Sequence, residues 1–149
     1  MSDQDNAAIA RAVYEAFNDH EPERAAALAA EDMQITDVPS GRTVRGPEGF
    51  ADSMRLWIRA CPDANVEVVE MIAGEGGAVT VEFVGRGTHE GPMFSPGGDI
   101  PPTGRSLEMR YCQVFRMRDG KIKSARLYYD VATLLGQMGL MPQPEGAAG

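Results

Sequence analysis

The run from Ser106 to Arg118 constrains the fold more than any other part of the chain. Leu107, Met109, Tyr111, Gln113, Phe115 and Met117 fall on one side of a period-two alternation; Glu108, Arg110 and Arg116 fall on the other. That pattern requires an extended strand with one face against a core. Asp119-Gly120 supplies a hairpin turn, and Lys121 to about Asp130 reads as the returning strand. A two-stranded hairpin cannot bury such a face alone, so the remaining chain must cover it.

The first half supplies the cover. A helix is expected from about Asp5 to Asn18, with Ile9, Val13, Ala16 and Phe17 on one stripe. Pro22 opens a second, alanine-rich helix to about Ala30, followed by a short strand from Met33 to Asp37 and a turn over Val38-Pro39-Ser40-Gly41. A third helix begins near Pro47-Glu48, carries Phe50, Met54, Trp57, Ile58 and Cys61, and ends at Pro62-Asp63. Strands follow over Ala64 to Ala73 and Ala78 to about His89. A last helix shows Val131, Leu134, Leu135 and Met138 on one stripe, and residues 142–149 read as a flexible tail. Helices first and long antiparallel strands later predict an α+β domain, a curved sheet wrapped around helices like a cone with a pocket inside. No repeat or linker divides the chain, so residues 1–149 read as one domain.

Charge narrows the partners. Fourteen Lys and Arg stand against 22 Asp and Glu, a net charge of -8. That balance argues against nucleic acid and anionic membranes. Apolar runs are too short to span a bilayer, and the acidic start lacks a secretory pattern. Cys61 and Cys112 have no disulfide or metal spacing, which fits packing residues in a reducing cytoplasm. No P-loop, dinucleotide fingerprint, zinc spacing or nucleophile elbow is present, so no cofactor or metal is expected and a small-molecule substrate is.

Four C-terminal signatures carry a family resemblance. They are Gly87-Thr88-His89-Glu90-Gly91-Pro92, Pro101-Pro102-Thr103-Gly104-Arg105, Phe115 to Ile122 through Asp119-Gly120, and Tyr128-Tyr129-Asp130 followed by Leu134-Leu135-Gly136-Gln137-Met138-Gly139-Leu140. In this order and spacing they resemble the SnoaL-like polyketide cyclases, or ester cyclases, of the NTF2-like group. The resemblance implies a cone-shaped barrel, a homodimer, and cofactor-free acid/base chemistry on a small apolar ketone or ester, such as an intramolecular aldol cyclisation. It also implies that Asp130, between the last strand and last helix, is the general acid/base. Read from the residues alone, the favoured role of Asp130 is the N-cap of the helix at Val131; the resemblance reverses that preference.

His89 is the second catalytic candidate. A regular strand places it on the face of Val79, Val81 and Phe83, aimed at the pocket or held there structurally. Gln113 is the lone amide on an apolar face, so it must find a partner or a ligand. Tyr14, Trp57 and Tyr111 are candidate pocket aromatics. Arg126 and Tyr128 share a predicted strand face with Asp130, Ile122 and Ser124, opposite Ala125, Leu127 and Tyr129. Gln34-Ile35-Thr36-Asp37 resembles the base region of ketosteroid isomerases, which makes Asp37 a pocket candidate. In that comparison the oxyanion tyrosine falls at Val13, one position from Tyr14, and the second acidic donor at Gln113, so isomerase ranks below cyclase. The segment from Glu90 to Arg105, with Met93, Phe94 and Ile100, is expected to fold over the pocket as a lid.

Overall fold

A computed structural model describes residues 2–142; most of the expected tail lies outside that range. Helix α1 spans Asp3–Asn18, α2 Pro22–Ala26, α3 Gly46–Ala60 and α4 Val131–Gln137. Strand β1 spans Ala29–Asp37, β2 Arg42–Arg45, β3 Asn65–Ala73, β4 Ala78–Thr88, β5 Ser106–Arg118 and β6 Lys121–Tyr128. The six strands form one sheet in the order β2-β1-β6-β5-β4-β3.

The alternation in β5 is borne out along its whole length. Leu107, Met109, Tyr111, Gln113, Phe115 and Met117 are buried, while Glu108, Arg110 and Arg116 are exposed. Both neighbours of β5 are antiparallel, β4 from Ala78↔Arg116 to Thr88↔Ser106 and β6 through Phe115↔Ala125. Helix α1 starts with a reciprocal cap between Ser2 and Asp5 and buries Ala10, Val13, Tyr14 and Ala16. Helix α3 contributes Phe50, Ala51, Met54 and Ala60 to the same core.

Four expectations change. The alanine-rich segment leaves the helix at Ala26, and β1 begins at Ala29 rather than Met33. Pairing with β6 from Ala29↔Ile122 overrides the helical preference of those alanines. That pairing is parallel, so the sheet is mixed rather than wholly antiparallel. The turn at Val38–Gly41 returns as a further strand, β2, paired from Asp37↔Arg42 to Gln34↔Arg45.

The fourth change is a bulge opposite β5. The register runs Arg116↔Ser124 and then Met117↔Ile122, so Lys123 is the extra residue. One extra residue reverses the facing of everything before it. Ile122 is therefore buried together with Ala125 and Leu127, not on the outer side with Arg126 and Tyr128. Beyond the bulge the alternation continues as expected and turns Tyr129 inward.

Candidate active site

A cavity of about 490 Å³ opens between the inner sheet face and helices α1, α3 and α4. Its walls are largely apolar, including Phe50, Met54, Phe83, Met109, Leu127 and Leu134. Met93, Phe94 and Ile100 of the loop between β4 and β5 also line it. The loop doubles back through an antiparallel bridge between Met93 and Ile100. Polar side chains entering this space are few, so each one has large leverage on a ligand.

Asp37, at the end of β1, is the carboxylate in the cavity wall. Its Oδ1 accepts the Ser40 backbone N–H at 3.1 Å. The Tyr129 hydroxyl donates to both carboxylate oxygens, at 3.2 Å to Oδ1 and 3.0 Å to Oδ2. Burial, reinforced by the nearby Asp37 charge, pushes the Tyr129 phenol far above its ordinary range. Tyr129 is therefore a fixed hydrogen-bond donor at neutral pH.

Tyr14 and Gln113 form a second polar pair, with the Tyr14 hydroxyl 2.8 Å from Gln113 Oε1. Burial holds the Tyr14 phenol protonated as well. With the hydroxyl donating to Oε1, the Gln113 Nε2 has no protein acceptor among the described residues. In the flipped amide the Tyr14 O–H is the donor left over. Either orientation leaves this pair able to donate to a ligand oxygen.

Aromatic rings hold both pairs in place. Tyr111 stacks on Phe83 with centroids 5.0 Å apart, and Phe83 lies 4.9 Å from Tyr14. Trp57 meets Tyr111 and Tyr129 edge-on at 5.8 and 5.5 Å. Gly85 makes this cluster possible: a Cβ there would come within 2.9 Å of the Tyr111 ring. Cys61 also lines the cavity, but burial, with Asp63 nearby, raises its thiol to about 11, so it is not a thiolate at neutral pH.

The structure brings Tyr14, Asp37, Trp57, Tyr111 and Gln113 together around this cavity and leaves four other sequence candidates outside it. Asp130 is exposed and caps α4, its Oδ1 accepting Ala132 N–H at 3.0 Å and its Oδ2 the Thr133 hydroxyl at 2.8 Å. The Thr133 hydroxyl, followed by the Ala132 N–H, lowers its pKa, the opposite of what a base near neutrality needs. With Tyr128 it borders a depression on the outer sheet face. Arg126 donates to the Tyr128 hydroxyl at 3.2 Å.

His89 is fully buried beyond the end of β4 and does not reach the cavity wall. Its Nδ1 lies 2.9 Å from Thr103 Oγ1 and accepts the Thr103 backbone N–H at 3.3 Å, which puts the proton on Nε2. Backbone bonds from His89 to Arg105 and Gly104 close the base of the loop. Burial lowers the imidazole pKa, with the Gly91 backbone partly opposing, so this histidine is a neutral loop anchor.

Among the cavity residues that the sequence reading did not single out are Tyr129 and Arg42. Tyr129 had a visible signal, since it continues the buried face of Ala125 and Leu127. Arg42 had none, because the strand that carries it forms only by pairing with β1. No group of acidic, histidine and cysteine side chains suited to a metal ion occurs among the described residues. No helix among them is long and apolar enough to cross a membrane.

Comparison with known proteins agrees with this architecture. Residues 7–138 match the family model of the SnoaL-like polyketide cyclases. The structure is similar to that of IdmH from Streptomyces antibioticus, provisionally assigned as a polyketide cyclase, at 30% identity and a TM-score of 0.72, covering 90% of this chain and 98% of that one. It is also similar to AclR from Streptomyces galilaeus, provisionally assigned as a hydroxylase, at 20% identity and a TM-score of 0.81, covering 97% and 87%. A protein from Catenulispora acidiphila with a ketosteroid isomerase-like fold matches at 22% identity and a TM-score of 0.73, covering 91% and 97%. The α+β, NTF2-like cone expected from the sequence is thus the observed fold. No curated protein matches the chain at the same stringency.

Proposed function

Because the chain belongs to the SnoaL-like polyketide cyclase family, we propose that it cyclises a small, mostly apolar carbonyl compound by general acid/base catalysis without a cofactor, and that Asp37 is the base. The observation that carries this reading is the position of Asp37. It is the carboxylate in the wall of an apolar cavity, and a protonated tyrosine is fixed on it.

Asp37 removes a proton from the carbon next to a ketone. The electron pair moves into the carbonyl, and the enolate oxygen receives a hydrogen bond from the Tyr14–Gln113 pair. The enolate carbon then attacks a second carbonyl of the same molecule, and the new alkoxide takes up a proton from Asp37 or from water. Enclosing both ends of the substrate makes the encounter intramolecular and supplies much of the rate. The Asp37–Tyr129 bond holds the carboxylate in one orientation.

A specific observation favours double-bond isomerisation as a second reading. Tyr14 faces the cavity and bonds Gln113, so a donor pair stands where the isomerase comparison requires one. Both reactions begin with the same proton abstraction. As part of the same proposal, the outer sheet face, with Val69, Ile72 and Tyr128 exposed, pairs two copies as a homodimer; a monomer mass in a light-scattering measurement would oppose that part.

The test is α-proton exchange of β-tetralone in deuterated water, followed by NMR, alongside ring closure of a triketone bearing a methyl ketone arm. Exchange and closure above the buffer rate support cyclisation. Exchange with conversion of a β,γ-unsaturated cyclic ketone, but without closure, favours isomerisation. Absence of any exchange contradicts both.

A further inference from the structure

We propose that Arg42 anchors an anionic group of the substrate, so that the ligand is an apolar carbonyl compound bearing a carboxylate. The inference rests on the cavity being the acid/base site described above. Three charged side chains line that cavity: Asp37, Arg42 and Arg86. Arg86 is neutralised by Glu108 at 2.7 Å and Glu67 at 3.1 Å. Asp37 is occupied by Tyr129 and the Ser40 N–H. Arg42 alone of the three has no oppositely charged or hydrogen-bonded side-chain partner among the described residues.

Its placement makes that unusual. In the β1–β2 hairpin Arg42 stands directly opposite Asp37, yet the two side chains form no ion pair. The guanidinium lies instead over the Phe94 ring, 5.1 Å from its centroid. A guanidinium seated over an aromatic ring spends no N–H on a protein acceptor, and its N–H groups match a carboxylate through two parallel hydrogen bonds. The apolar lining strengthens such a contact relative to water. A chain of net charge -8 repels anions in general, so a free cation at this wall marks where one is accepted. The Asp37 carboxylate opposes an anion at the reacting carbon, so the substrate carboxylate lies at the far end of an apolar body. Phe94 belongs to the loop, so the same contact ties the loop to the β1–β2 hairpin over the bound ligand.

Calorimetric titration with naphthylacetate and naphthylacetamide tests the assignment, since the two share an apolar body and differ in charge. The wild-type protein is expected to prefer the acid, and Arg42→Gln to weaken naphthylacetate by about 10- to 100-fold while leaving naphthylacetamide unchanged. Arg42→Lys should fall between, because it keeps charge and loses the planar fork. No preference for the acid in the wild-type protein, or equal weakening of both probes by Arg42→Gln, overturns the proposal. Asp37→Asn separates it from the catalytic reading. That variant should keep or improve naphthylacetate binding; if it also retains β-tetralone exchange, the base assignment falls and the anion anchor stands.

Discussion

The Tyr129 hydroxyl bridges the two carboxylate oxygens of Asp37, at 3.0 and 3.2 Å. The residues are 92 apart in sequence and meet because β1 and β6 run parallel, with Asp37 beside Leu127. Removing the hydroxyl leaves the ring packed between Trp57 and Tyr111 but frees the carboxylate to rotate. Tyr129→Phe is expected to fold normally and to lower kcat/KM for tetralone exchange by about 10- to 100-fold, the range of a lost hydrogen bond to a charged group. Unchanged kcat/KM would remove Tyr129 from the mechanism.

Tyr14→Phe strands a buried acceptor. Gln113 Oε1 loses its donor inside the core, which costs about 1–3 kcal/mol of stability. Urea unfolding should show that loss, and Gln113→Leu in the same background should recover part of it, since an apolar pair leaves nothing unsatisfied. The double variant should slow exchange, because it removes both groups of the pair that can donate to the enolate oxygen. Full activity in the double variant would contradict that role.

His89 makes stability depend on pH. Its folded pKa lies below the unfolded value of about 6.5, since burial penalises the imidazolium. Above that pH both states are neutral and the group has no effect. As pH falls below it, the unfolded chain takes up the proton first, so stability declines until the folded pKa is passed. His89→Asn keeps an acceptor for the Thr103 N–H. The gap in urea midpoint between wild type and variant should narrow from pH 7.5 to pH 5 in the variant's favour, within about those limits. A gap independent of pH would show that His89 is not held neutral.

Much of this site was legible in the sequence, and the rest was hidden for physical reasons. The β5 alternation identified Gln113 and Tyr111 as inward-facing, because a period of two has only one reading once the core side is known. Asp37 was visible as a carboxylate at a strand end, where a strand-end turn was the simpler explanation. Asp130 had two readings, because the residue that suits a helix cap is the same type that suits an acid/base role, and the structure shows it capping α4. Its neighbour Tyr129 was placed only on the opposite strand face, with Ala125 and Leu127. Which of two adjacent residues enters the cavity depends on strand facing, and a β-bulge can shift that facing without any mark in composition. Of the two places open to His89, the structure shows the structural one at the start of the loop, because β4 ends at Thr88 and strand alternation no longer governs it. Arg42 depended on a four-residue strand that no local pattern announced.

The central claim is that the base is Asp37 and not Asp130. Tetralone exchange by Asp37→Asn and Asp130→Asn, measured side by side at pH 7.5 with wild type, tests it most directly. The account predicts a loss of about 10²- to 10⁴-fold for Asp37→Asn. Asp130→Asn should stay within about twofold of wild type, with only a lower melting temperature from the weakened cap. The reverse pattern, with activity lost in Asp130→Asn and kept in Asp37→Asn, would contradict it.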